Sequence, residues 1–272
     1  MSSFENNNIN NPFGVPNTAR PNLGALASKF LSARDAEQLK NLFKNKGGQD
    51  SSNPSITDIP ANVLEKAMGD EERKKLEEEK ERRDIPKQIT TWAKKYKLGD
   101  EDWVEKYFEF NDDGSVICNT NLNLNFMTEP DFPESIKYVK GYLFLDGLTS
   151  ATDLNLPDEI RGNLSLNRLT SITGLTLPNR IGGGLYLDGL TSATGLNLPD
   201  EIRGDLSLDG LTSAEGLKLP NLIGEDLYLN NLTSIVGLEL TDVAIGKYIY
   251  LKKIPYNEEK KLREKYPSLR IY

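Results

Sequence analysis

Leucines recur through the second half of the chain at an interval too long for one helix face and too regular for an irregular loop. Leu122, Leu143, Leu164, Leu185, Leu206 and Leu227 lie 21 residues apart, and Leu124, Leu145, Leu166, Leu187, Leu208 and Leu229 each follow two positions behind. The alternation within each L-x-L has period two, which predicts a short strand with its middle residue outward. A second pair, such as Leu154 and Leu156, comes 11 residues after Leu143 and Leu145 and predicts another extended segment on the opposite side of the coil. With Leu148 and Ile160 these positions give the unit an apolar inner face. One unit alone buries too little to offset the entropy of ordering its backbone, so the units must stack and share that face. The predicted fold is a β-rich solenoid of about five to seven coils of 21 residues, with a helical N-terminal cap and a short helix-strand C-terminal cap.

A longer period lies over the short one. Residues 143–183 and 185–225 agree at 31 of 41 positions, the mark of a duplicated two-coil block. Units such as G-D-L-S-L-D-G-L-T-S-A-E-G-L-K-L-P at 204–220 resemble short bacterial-type leucine-rich repeats, although Leu148, Leu169, Leu190, Leu211 and Leu232 stand where such repeats usually carry a ladder asparagine. The segment W-V-E-K-Y-F-E-F-N-D-D-G-S-V-I-C at 103–118 is similar to the entry segment of repeat proteins from bacteria and phages. The resemblance covers residues 103–272 and implies a leucine-rich-repeat-like solenoid. It is specific for architecture and silent on activity.

Composition divides the remainder. Residues 1–60 are rich in Asn, Pro, Gly and Ser and are expected to form a largely disordered arm. One amphipathic segment at about 22–46 interrupts it, carrying Leu23, Leu26, Phe30, Leu31, Leu39, Leu42 and Phe43. Residues 61–99 are expected to hold charged and connecting helices. A single solvated helix over 61–84 has Glu71/Lys75, Glu78/Arg82 and Glu79/Arg83 at i,i+4, and Pro86 breaks the chain ahead of Trp92. A helix-hairpin cap follows over 100–121. Trp103, Tyr107 and Phe108 cover the first coil, and N-D-D-G at 111–114 turns residues 108–110 back onto 116–118. The solenoid then fills 122–251. The C-terminal cap, 252–272, begins with a helix capped by Asn257 and running from Glu258 to about Lys265, and ends in a strand over 269–272.

The chemistry the chain can host is narrow. There is no histidine and a single cysteine, Cys118, which excludes Ser-His-Asp and Cys-His catalysis, His-ligated metal and an intrachain disulfide. No stretch approaches the roughly 18–20 apolar residues of a membrane-spanning helix. The first 14 residues lack the basic and apolar regions of a secretory signal, so a cytoplasmic, cofactor-free protein is expected. Residues 141–245 carry 14 acidic and 5 basic side chains, against 3 and 8 in residues 246–272. An acidic coil stack disfavours a phosphate backbone, so no nucleic-acid partner is expected.

Two ladders of side chains flank or occupy the L-x-L strands. Asn125, Asp146, Asn167, Asp188, Asp209 and Asn230 close each pair and are expected to satisfy backbone groups where the strand turns; one Asx per coil offers too few oxygens for calcium. The middle position runs Asn123, Phe144, Ser165, Tyr186, Ser207 and Tyr228, and Tyr250 joins the series after a one-residue insertion. Folding has no evident need for an outward aromatic on alternate coils. Phe144, Tyr186, Tyr228 and Tyr250, flanked by Tyr142, Asp205 and Asp226, are therefore the candidate binding surface. The expected function is a noncatalytic protein-binding or scaffold solenoid, tethered by its N-terminal arm. One alternative is a structural subunit of a larger assembly, ordered through that arm. The other is a carbohydrate-active solenoid enzyme with paired carboxylates, for which the repeat supplies no inserted loop.

Overall fold

A computed structural model describes residues 26–44 and 61–272; the expectations for the remaining stretches of the arm lie outside the described residues. From Leu122 the chain winds about six times as a β-solenoid and lays down strands in two sheets. The seven-stranded sheet comprises β3 (Leu122–Asn123), β5 (Leu143–Phe144), β7 (Leu164–Ser165), β9 (Leu185–Tyr186), β11 (Leu206–Ser207), β13 (Leu227–Tyr228) and β15 (Ile249–Tyr250). The eight-stranded sheet runs β1 (Phe108–Phe110), β2 (Val116–Cys118), β4 (Ile136–Val139), β6 (Glu159–Ile160), β8 (Arg180–Ile181), β10 (Glu201–Ile202), β12 (Leu222–Ile223) and β14 (Ala244–Ile245). Every pairing is parallel except the β1–β2 hairpin.

Register follows from the leucines. Leu164 pairs with Leu185, Leu185 with Leu206, and Leu206 with Leu227, so identical side chains stack into one dry column. Leu143, Leu145, Leu148 and Ile160 have no exposed surface. Parallel strands buried in this way gain ladder hydrogen bonds and a continuous core together, which no single coil has.

The second extended segment differs from expectation. Leu154 and Leu156 are not in a strand; the eight-stranded sheet takes Glu159 and Ile160 instead. Pro157 explains the shift, because it has no N–H to give a ladder and resets the chain before pairing resumes. Leu154 is still buried and Leu156 packs partly against the same core.

The entry cap forms α4 (Glu101–Tyr107), with Asp100 accepting from the Trp103 N–H at 3.2 Å, followed by the β1–β2 hairpin. Gly114, at φ 87°, closes the hairpin turn with its N–H on the Asn111 carbonyl at 3.0 Å. Phe108 is fully buried, and Trp103 and Tyr107 pack partly against the core. At the other end α5 (Tyr256–Lys265) starts two residues earlier than expected. Pro255, rather than Asn257, holds the cap position, and its carbonyl accepts from the Glu258 and Glu259 N–H groups. The final segment contributes a single parallel bridge, Ile249 to Ile271, instead of a full strand.

The described residues divide between Asp84 and Ile85 into two compact units. The first contains α1 (Ala33–Lys44), α2 (Ala61–Ala67) and the beginning of α3 (Asp70–Lys95), with its own cluster of Leu26, Ala27, Leu39, Leu64, Met68 and Leu76. The single helix expected over 61–84 is interrupted at Gly69, whose N–H donates to Glu72 Oε2 at 2.8 Å in the reach-back half of a capping box. Pro86 does not break the chain but lies inside α3. The ring forgoes one backbone bond, and the helix persists because Ile89, Trp92 and Ala93, just beyond it, are buried in the core of the second unit.

A face of tyrosines and carboxylates

The seven-stranded sheet presents three columns of side chains on its outer side. The middle column is Asn123, Phe144, Ser165, Tyr186, Ser207, Tyr228 and Tyr250, each from the second residue of a strand. Phe144, Tyr186, Tyr228 and Tyr250 are half-buried, whereas Ser165 and Ser207 are 3% and 4% exposed. Tyr186 lies over its neighbour Gly184, where a Cβ would come within 2.8 Å of the phenol oxygen. Glycine at 184 is thus what lets the ring fold flat. Alternation ends at the last two coils: Tyr228 and Tyr250 are on adjacent strands and stack with centroids 4.7 Å apart and planes 5° from parallel. Tyr248 and Tyr272 extend this cluster, each within about 6 Å of Tyr250.

The Asx column beyond the strands links coil to coil. Asn125, Asp146, Asn167, Asp188 and Asp209 each accept, through Oδ1, the backbone N–H of the residue 21 positions later, at 2.8 to 3.2 Å. Each side chain serves the next turn, not only its own corner. Asp146 and Asp188 also accept from the hydroxyls of Ser165 and Ser207. Each buried serine hydroxyl in the middle column is thus satisfied by a carboxylate one coil earlier. Asn230 ends the column and donates to Asp209 Oδ2 at 3.0 Å.

Sequence reasoning missed a second ladder on the near flank. Asn121, Asn163, Asp205 and Asp226 accept the N–H groups of Tyr142, Gly184, Asp226 and Tyr248 at 2.8 to 3.1 Å. Asp205 and Asp226, expected only as flanking binding groups, thus join the coils as well. The other oxygen of each accepts a phenol: Tyr186 Oη donates to Asp205 at 3.1 Å and Tyr228 Oη to Asp226 at 3.2 Å. The signal was an Asx one residue before the L-x-L. It was obscured because Tyr142, Gly184 and Tyr248 occupy the same column.

Electrostatically the face is one-sided. Asp146, Asp188, Asp205, Asp209 and Asp226 form no salt bridge among the described residues, although fourteen pairs form elsewhere. Burial, then Asp205, pushes the Tyr186 phenol up to about 12. Burial, then Asp205 and Asp226, does the same to Tyr228. Tyr142, Phe144, Tyr186, Tyr228, Tyr250, Asp205 and Asp226 are thereby brought onto one surface, with Tyr142 and Phe144 in an edge contact at its first end.

Other features supply less. A shallow hollow of about 170 Å³ on the eight-stranded sheet, lined by Ile117, Tyr138, Val139, Lys140, Glu159 and Arg161, is below the usual size of a small-molecule site. Burial pushes the Cys118 thiol up to about 11, which suppresses the thiolate. Among the described residues no cluster could hold a metal ion, and no helix is long and apolar enough to cross a membrane. Comparison with known protein families, curated proteins and solved structures finds no match to the chain.

Proposed function

We propose that the chain is a noncatalytic, leucine-rich-repeat-like recognition solenoid that binds a protein partner on the outer side of the seven-stranded sheet. The observation that carries this is the row of half-buried Phe144, Tyr186, Tyr228 and Tyr250, with Tyr186 and Tyr228 held by hydrogen bonds to carboxylates that form no salt bridge among the described residues. Tyr186 and Tyr228, already ordered by their own hydrogen bonds, lose little entropy when a partner covers them, and aromatic side chains dominate interface energetics. The two Asx ladders tie neighbouring coils together and make the surface a rigid platform. A reducing, cytoplasmic setting suits the single buried thiol.

The test is Tyr186→Ser with Tyr228→Ser in the full chain, since serine already fills this column at Ser165 and Ser207. Partner capture from native lysate should weaken by roughly 2 kcal/mol or more, the hot-spot scale. Unchanged capture by a double variant of unchanged secondary structure would remove this face from recognition.

A further inference from the structure

Building on that recognition face, we infer that it docks an extended cationic segment in polyproline II conformation, with a lysine or arginine at every third residue. Charge is the first reason. Five aspartates border the aromatic row on its two flanks, and among the described residues none has a basic partner; Asp146 and Asp188 each keep one oxygen with no hydrogen bond. An anionic or neutral occupant would leave these carboxylates desolvated and unpaired, at a cost that a cation removes.

The chain itself shows the chemistry at one end of the row. Arg270, from the closing segment, holds its guanidinium carbon 6.0 Å from the ring centroid of Tyr248, which in turn contacts Tyr250. No cation lies over Phe144, Tyr186 or Tyr228 among the described residues. The cation site is filled where the chain closes on itself and open along the rest of the row.

Spacing selects the conformation. The strand positions that carry Phe144, Tyr186 and Tyr228 recur every second coil, and two strand separations of about 4.8 Å set those attachment points about 9.6 Å apart. A polyproline II helix rises about 3.1 Å per residue with three residues per turn, so positions i and i+3 share a face about 9.3 Å apart. Across the two intervals from Phe144 to Tyr228 the two repeats drift apart by only about 0.6 Å. Strand addition is disfavoured, because the backbone groups facing between coils are already paired, as in Leu185 N–H to the Asp205 carbonyl and Leu206 N–H to the Asp226 carbonyl. A polyproline II segment asks for no free sheet edge.

The experiment is a fluorescence-anisotropy titration of the full chain with a ten-residue peptide carrying arginine at positions 1, 4, 7 and 10 and proline elsewhere. Two controls have the same length: one with the four arginines contiguous, one with glutamine in place of arginine. At low salt the spaced peptide should bind about tenfold tighter than either control, and should weaken as salt rises. Asp188→Asn with Asp205→Asn and Asp226→Asn should weaken it by about tenfold or more while the chain stays folded with its melting temperature lowered by no more than several degrees, because asparagine already serves the ladders at 125, 163 and 167. Equal binding of the contiguous peptide overturns the spacing. Absence of binding by the spaced peptide, or binding indifferent to the asparagine substitutions, overturns the cationic occupant. In that case loss of native partner in the Tyr186→Ser, Tyr228→Ser variant leaves the recognition face standing with a different occupant, and retention of the partner removes the face as well.

Discussion

Asp153 and the half-buried phenols show how single residues record the architecture. Gly174, Gly195, Gly216 and Gly237 have φ between 76° and 85° at one corner of successive coils, and Asp153 takes the same place in an earlier coil with φ 64°. Left-handed backbone costs a non-glycine residue about 1–2 kcal/mol, and glycine costs about 0.5–1 kcal/mol through the unfolded chain, so Asp153→Gly should stabilise by about 0.5 kcal/mol. Denaturant unfolding checks it. Tyr186 and Tyr228 hold their protons up to about 12, above the ordinary tyrosine value of about 10. Because the folded phenols bind protons more tightly than the unfolded ones, their contribution is intact below about pH 10 and is lost as pH rises toward 12. Ultraviolet titration should show a late-ionising class that loses two members in the Tyr186→Phe, Tyr228→Phe variant, and that variant should lose less stability between pH 10 and 12.

The ladders are where individual residues become coils. Asp188 accepts both the Ser207 hydroxyl and the Asp209 N–H, so Asp188→Ala should cost about 2–3 kcal/mol, while Asp188→Asn should stay within about 1 kcal/mol. Thermal melts of the pair distinguish a coil-to-coil strut from a simple charge. The far edge has a comparable device: Leu251 donates to the Tyr272 carbonyl and Tyr272 to the Ile249 carbonyl, so the last residues cover β15. Deleting 269–272 should expose that edge and produce concentration-dependent light scattering. The inward leucines were legible in the sequence because burial admits one chemistry at each position. The Glu159–Ile160 type of strand was not, since two residues carry no periodicity and the neighbouring L-x-L-P offers a false alternative. The alternation of serine and aromatic was visible in the sequence. The hydrogen bond that satisfies each buried serine was hidden, because its acceptor is an aspartate 19 residues earlier.

Across the whole molecule, the unit boundary at Asp84 and Ile85 sets what can stand alone. A fragment beginning at residue 100 omits Ile89, Trp92 and Ala93, all buried in the solenoid core. Residues 85–272 should therefore melt in one cooperative transition, whereas 100–272 should be less stable by several kcal/mol, about the cost of emptying large buried positions; calorimetry on both decides it. Recognition belongs to this same scale, since the aromatic row exists only when successive coils are in register. Tyrosine footprinting of the full chain, free and partner-bound, tests that claim most directly, because the two sheets carry separate reporters: Tyr142, Tyr186, Tyr228 and Tyr250 on the seven-stranded sheet, and Tyr138 on the eight-stranded one. Protection of the first four with Tyr138 unchanged is the predicted result. Protection of Tyr138 while Tyr186 and Tyr228 react as in the free chain would contradict it.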